Sequence, residues 1–202
     1  MFSACLTIIN TINIILMRFW VLSMYFQTYP YFKIPFNREG EKTVYLELRI
    51  GVVLTEKNLT LAVAESCTGG LLASRITDVA GSSKYFLGGI VSYSYEAKAS
   101  LLGVAWDTLN HKGAVSRETV LEMALGARRV LNADIAVSVS GIAGPGGGTP
   151  DKPVGTVWVG LATPSGEEAR HFVWDGDRIR NKQLSSEAAL QFILDYLEGK
   201  LV

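Results

Sequence analysis

The chain predicts an α/β fold, a three-layer α/β/α sandwich with a mixed, mostly parallel central sheet, and three observations lead there. Short apolar runs of strand length alternate with amphipathic stretches of helical period, the pattern of parallel strands joined by helices. Small-residue turns rich in Ser, Thr and Gly follow the apolar runs. Near the C-terminus two strand-like runs meet at Pro164-Ser165-Gly166, a hairpin turn, so the sheet cannot be purely parallel. With 49% hydrophobic and 19% charged residues, a chain of 202 residues has material for one packed domain with an appendage.

Taken in order, Tyr45 to Glu56 reads as a helix with Leu46, Leu48, Ile50, Val53 and Leu54 on a broad apolar face. Leu59 to Ala64 is a buried type of strand, and Gly70 to Val79 the helix it feeds. Gly89 to Ser94 forms a second strand and runs into a short helix, Tyr95 to Leu102. Ser116 opens a longer helix as its N-cap, and Val120, Met123, Ala124, Ala127, Val130 and Leu131 form the inner face. Asp134 to Ser140 and Val154 to Thr163 are the third and fourth strands. The hairpin then leads into Glu168 to Trp174, and a final helix occupies Asp177 to Leu201.

The first 41 residues differ in kind and read as a hydrophobic N-terminal extension and linker, with the domain proper over 42–202. Residues 5–26 are long and apolar enough to reach across a bilayer, but Arg18 lies inside the run and Asn10 and Asn13 weaken it. A basic n-region and a small-residue cleavage site, the marks of a secretory signal, are missing. The segment therefore reads either as a membrane-associated piece or as the product of a start codon placed too far upstream. Membrane contact is expected only in the first case, and a cytoplasmic location otherwise.

A formal net charge of zero gives no electrostatic footprint for nucleic acid. Cys5 and Cys67 provide neither a disulfide framework nor metal-ligand spacing, and His111 and His171 stand apart from them and from each other. Chemistry is instead expected where three segments converge at the carboxyl ends of the strands. The first is Ala64-Glu65-Ser66-Cys67-Thr68-Gly69-Gly70, a strand-to-helix turn that presents hydroxyls and helix-start N–H groups. The second is Val91-Ser92-Tyr93-Ser94-Tyr95-Glu96-Ala97-Lys98, where a strand passes directly into a helix. The third is Ser138-Val139-Ser140-Gly141-Ile142-Ala143-Gly144-Pro145-Gly146-Gly147-Gly148, a strand breaking into a glycine loop suited to a compact anion. With no credible histidine, Lys98 is a candidate base for a hydroxyl nucleophile, provided that burial lowers its pKa and that neither Glu65 nor Glu96 pairs with it.

Together with Gly81-Ser82-Ser83, Leu102-Gly103-Val104, Gly113-Ala114-Val115-Ser116, Lys152-Pro153-Val154-Gly155-Thr156-Val157 and Gly176-Asp177-Arg178, these motifs resemble the CinA C-terminal domain family from about Tyr45 onward. The resemblance implies an amidohydrolase that converts nicotinamide mononucleotide to nicotinate mononucleotide and ammonia in pyridine nucleotide recycling. It implies no metal, no cofactor and a homo-oligomer. Carried over by position, Ser66 is the nucleophile, Lys98 its base and Tyr93 an assistant. Ser140 and Thr156 line the site, and Gly141, Gly144 and Gly146 of the loop hold the ribose phosphate. In the mechanism these placements suggest, backbone N–H groups of Thr68, Gly69 and Gly70 stabilise the oxyanion, and Arg178 is a further substrate contact. The chain departs from the family in lacking a counterpart to the preceding nucleotide-binding domain of two-domain members, and in the spacing of Arg180 and Lys182. Should Ser66 not be the nucleophile, Cys67 or Thr68 comes next. The alternative is a non-catalytic module that senses a mononucleotide.

Overall fold

The computed structural model describes residues 45–201, so the readings made for the N-terminal extension lie outside the described residues. Five strands form one sheet, ordered β2-β1-β3-β4-β5: β1 Leu61–Glu65, β2 Phe86–Val91, β3 Ile135–Gly141, β4 Thr156–Thr163 and β5 Gly166–Val173. The pairs β1/β2 and β1/β3 are parallel, whereas β3/β4 and β4/β5 are antiparallel. The helices are α1 Leu46–Lys57, α2 Leu71–Thr77, α3 Tyr95–Leu102, α4 Trp106–His111, α5 Arg117–Val130 and α6 Arg178–Leu197. Among the described residues no helix is long and apolar enough to cross a membrane.

Because side chains alternate along a strand, each face of the sheet has its own composition. Leu61 and Val63 of β1, Ile135, Val137 and Val139 of β3, and Val157, Val159 and Leu161 of β4 join one core cluster with α1, α2 and α6. Ala62, Ala64 and Ala136 join the other, with Leu102, Leu109, Met123 and Ala127 from α3, α4 and α5. On this second face small residues let α5 sit against the backbone. The Ser138 hydroxyl donates to Val120 O at 2.5 Å, and a Cβ added at Gly160 would stand 2.5 Å from the same oxygen.

Three details differ from the sequence reading. β2 starts at Phe86 rather than Gly89, because a strand with two glycines hides its period. α4, a six-residue helix, fills a stretch to which no element was given. The N–H groups at the start of α2, expected to be presented by the turn, are taken up by the protein itself. Gly70 takes the N-cap position with no side-chain cap, and the carboxyl group of Glu65 reaches the helix start from the end of β1.

Candidate active site

Ser66 leaves β1 on the small-residue side and meets Lys98, one turn into α3. The Ser94 hydroxyl caps α3 by accepting from Ala97 N at 3.1 Å, which fixes where the helix begins and hence where Lys98 points. Lys98 Nζ lies 2.9 Å from Ser66 Oγ and donates to Ser92 O at 2.7 Å. The strand ends that carry these groups are pinned to each other. Ser66 N donates to Val139 O at 2.9 Å, and Ser92 N to Glu65 O at 2.8 Å.

Only 1% of Lys98 is exposed, and no carboxylate forms an ion pair with it among the described residues. Burial disfavours the ammonium and brings its pKa down to about 8, against a small opposing pull from the neighbouring Cys67. About a tenth of the side chain is then neutral at pH 7, against roughly one part in three thousand at the ordinary lysine value. A neutral amine that gives one N–H to Ser92 O has its lone pair free for the Ser66 hydroxyl proton. Ser66 keeps 8% of its surface open, so an incoming group meets the hydroxyl before the amine behind it.

Cys67 is a poor reserve nucleophile. Its thiol faces the oily core, and burial pushes its pKa up to about 12. Nor do the histidines gather into a triad. His111 pairs with Asp107 at 3.1 Å on the surface, and His171 packs its ring against Trp158 on the hairpin.

Glu65 and Ser66 point to opposite faces of the sheet, as neighbours on a strand must. The Glu65 carboxyl group accepts from Gly70 N at 2.9 Å, Leu72 N at 3.1 Å and Ala73 N at 2.9 Å, and so stays away from Lys98. These bonds correct the expected oxyanion donors. Gly70 N belongs to Glu65 and Gly69 N to Ser66 O at 3.1 Å, so that of the expected set only Thr68 N has no oxygen acceptor.

The remaining sequence candidates form the surroundings. Tyr93 is 62% exposed, and its hydroxyl accepts from Arg178 Nη2 at 3.0 Å rather than meeting Ser66 or Lys98. Arg178 Nη1 donates to Gly144 O at 2.7 Å, so this side chain ties the end of β2 to the glycine loop. The Ser140 hydroxyl donates to Ala114 O at 2.7 Å and is thereby occupied. Thr156 Oγ1, by contrast, is buried without a hydrogen-bond partner, as are Thr68 Oγ1 and Ser92 Oγ. Gly141 lies tight against Val157, whereas Gly146 has open space around it. Lys182, one helical turn after Arg178, brings its Nζ within 3.7 Å of where a Gly69 Cβ would stand. Sequence reading missed Ser92 as the anchor of the amine and Glu65 as the cap; only the strand register reveals either.

The model of the CinA C-terminal domain matches residues 44–197. The chain belongs to the CinA C-terminal domain family. A CinA-like protein of Chlorobaculum tepidum is 56% identical over 156 residues, which cover 75% of this chain and 37% of that protein. The chain spans 37% to 39% of the length of the first curated relatives it matches. Solved structures are similar over nearly their whole length. Competence/damage inducible protein CihA of Agrobacterium tumefaciens is 41% identical with a TM-score of 0.73, covering 76% of this chain and 93% of its own. A competence-damaged protein (CinA) superfamily protein of Enterobacter cloacae is 30% identical with a TM-score of 0.74, covering 82% of this chain and 99% of its own. The described CinA domain thus has the mixed-sheet α/β architecture of these relatives.

Proposed function

We propose that this chain hydrolyses a carboxamide through an acyl-enzyme, with Ser66 as nucleophile, Lys98 as base and nicotinamide mononucleotide as substrate. The observation that carries the chemistry is the 2.9 Å contact between a buried amine and the hydroxyl at a strand-to-helix turn. In this reading Lys98 takes the Ser66 proton as Oγ attacks the carboxamide carbon, and the carbonyl oxygen becomes an oxyanion against backbone N–H groups of the turn. The protonated amine then passes its proton to the departing nitrogen, so ammonia leaves and an ester on Ser66 remains. Water attacks the ester with Lys98 again as base, which frees the carboxylate product and restores the hydroxyl.

The choice of substrate rests on the family resemblance, with some support from charge. Arg178 and Lys182 stand beside the glycine loop and the Ser66 turn, where a phosphate monoester would meet two cations. The test is to incubate the full chain with nicotinamide mononucleotide and measure ammonia and nicotinate mononucleotide. The wild type is expected to release both in equal amounts, and Ser66→Ala to release neither while still binding the nucleotide within a few fold. A wild-type chain that binds the nucleotide without releasing ammonia would instead be a sensing module.

A further inference from the structure

The turn between β1 and α2 holds its backbone donors in an uneven way. From Gly69 to Ser74 every N–H has an acceptor: Ser66 O, the Glu65 carboxyl group, Thr68 O, the Glu65 carboxyl group twice more, and Gly70 O. Ser66 N is tied to Val139 O. The N–H groups of Cys67 and Thr68 alone in this run have no oxygen acceptor and lie beside the Cys67 sulfur, a weak one. An isolated helix start would offer its free donors near Gly70 to Ala73, one turn beyond the nucleophile. Here a fully buried carboxyl group fills three of those positions from inside the protein.

We infer that Glu65 is the positioning residue of the reaction, and that the oxyanion forms against the N–H groups of Cys67 and Thr68. Glu65 acts through one set of bonds: it clamps the two ends of the turn, Glu65 at the strand and Ala73 in the helix, so that the pair without an oxygen acceptor directly follows the nucleophile. A carboxyl group suits this place because it only accepts when ionised, whereas an amide must aim an N–H at other N–H groups. This inference rests on Ser66 being the nucleophile, and not on the identity of the substrate.

The test uses the full chain with Glu65→Gln and two readouts. The first is turnover of nicotinamide mononucleotide. The second is the rate at which a fluorophosphonate phosphonylates Ser66: the Ser66 Oγ–P bond forms, the P–F bond breaks, fluoride leaves and the proton goes to Lys98. Its phosphoryl oxygen needs the same donors as the oxyanion but no nucleotide. Glu65→Gln is expected to lower both kcat and the labelling rate by about thirtyfold, within the range set by losing one oxyanion donor or less. KM should stay within threefold, and the pH midpoint of labelling, which belongs to Lys98, should not move. If Glu65 only stabilised the fold, Glu65→Gln would melt earlier and yet be labelled at the wild-type rate, which overturns the inference. Should Glu65→Gln fail to fold, Glu65→Asp keeps the carboxyl group but is one methylene short of Ala73 N, and a wild-type labelling rate there is equally fatal. Wild type that is labelled but releases no ammonia would refute the proposed substrate and leave this inference standing. Wild type that is not labelled at Ser66 would remove both.

Discussion

From β1, Leu61 and Val63 look toward α1, α2 and α6, while Ala62 and Ala64 look toward α3, α4 and α5. The first face continues into large branched side chains on β3 and β4, and ends at Cys67 with its thiol driven up to about 12. On the second face small residues lead to Ser66, with a lysine on the facing helix brought down to about 8. Burial acts on both groups, and in both it favours the neutral form. For a thiol, neutrality means loss of the nucleophile; for an amine, it means gain of a base. The same desolvation therefore silences one side of the sheet and arms the other, and the narrow side chains of the second face make room for α3 and α5 to approach.

Two substitutions should separate these roles. Lys98→Met removes the amine at nearly constant volume. Activity is expected to fall at least about a thousandfold, because the proton acceptor is lost. Stability at pH 7 should change by no more than about 2 kcal/mol, since two lost hydrogen bonds are offset by relief from burying a charge. Urea denaturation beside an ammonia assay would show the split. Phe192→Ala, in the core cluster under Arg170, should do the reverse. It is expected to cost about 3–5 kcal/mol while the folded fraction keeps its kcat. Equal damage to stability and turnover in both variants would erase the division between faces.

The smallest effect concerns pH. The folded pKa of Lys98 lies below its ordinary value of 10.5, so the unfolded chain binds more protons from about pH 8 upward, and stability must rise with pH there. Cys67 opposes this from a little below pH 9 upward, where the unfolded thiol ionises and the folded one does not. Between pH 8 and 9 the wild type should still gain about 0.6 kcal/mol. In denaturation curves at the two pH values, Lys98→Met should show no such gain; a gain that persists would assign the slope to another group. Over the same interval wild-type activity should climb toward its plateau.

The alternation of strands and helices was enough to place the layers, because buried parallel strands and amphipathic helices leave distinct periods in the sequence. Gly88 and Gly89 hid the beginning of β2 for a packing reason. A Cβ at Gly89 would stand 2.8 Å from Val63 Cγ2 and 3.2 Å from the Ala73 Cβ, so glycine there serves close approach rather than a turn. Ser66 and Lys98 could be suspected as partners from residue type alone. Ser92 could not, since its contribution to the amine is a backbone carbonyl that any residue would supply. Glu65 escaped for a related reason. In sequence it neighbours Ser66 and looks like a partner for lysine, and only the alternation of β1 sends it to the far face, into the start of α2.

The bonds that hold the dyad in place have a genetic consequence. The carbonyls of Ser92, Val139 and Glu65, which anchor the amine and the two strand ends, belong to the main chain. Point mutation cannot delete them. Drift can thus change many side chains around this centre and leave its geometry standing, so that inactivation by single codon changes should concentrate at a few positions. Libraries of random variants of this domain should accordingly tolerate change at Ser92 far better than at Ser66, Lys98 or Glu65.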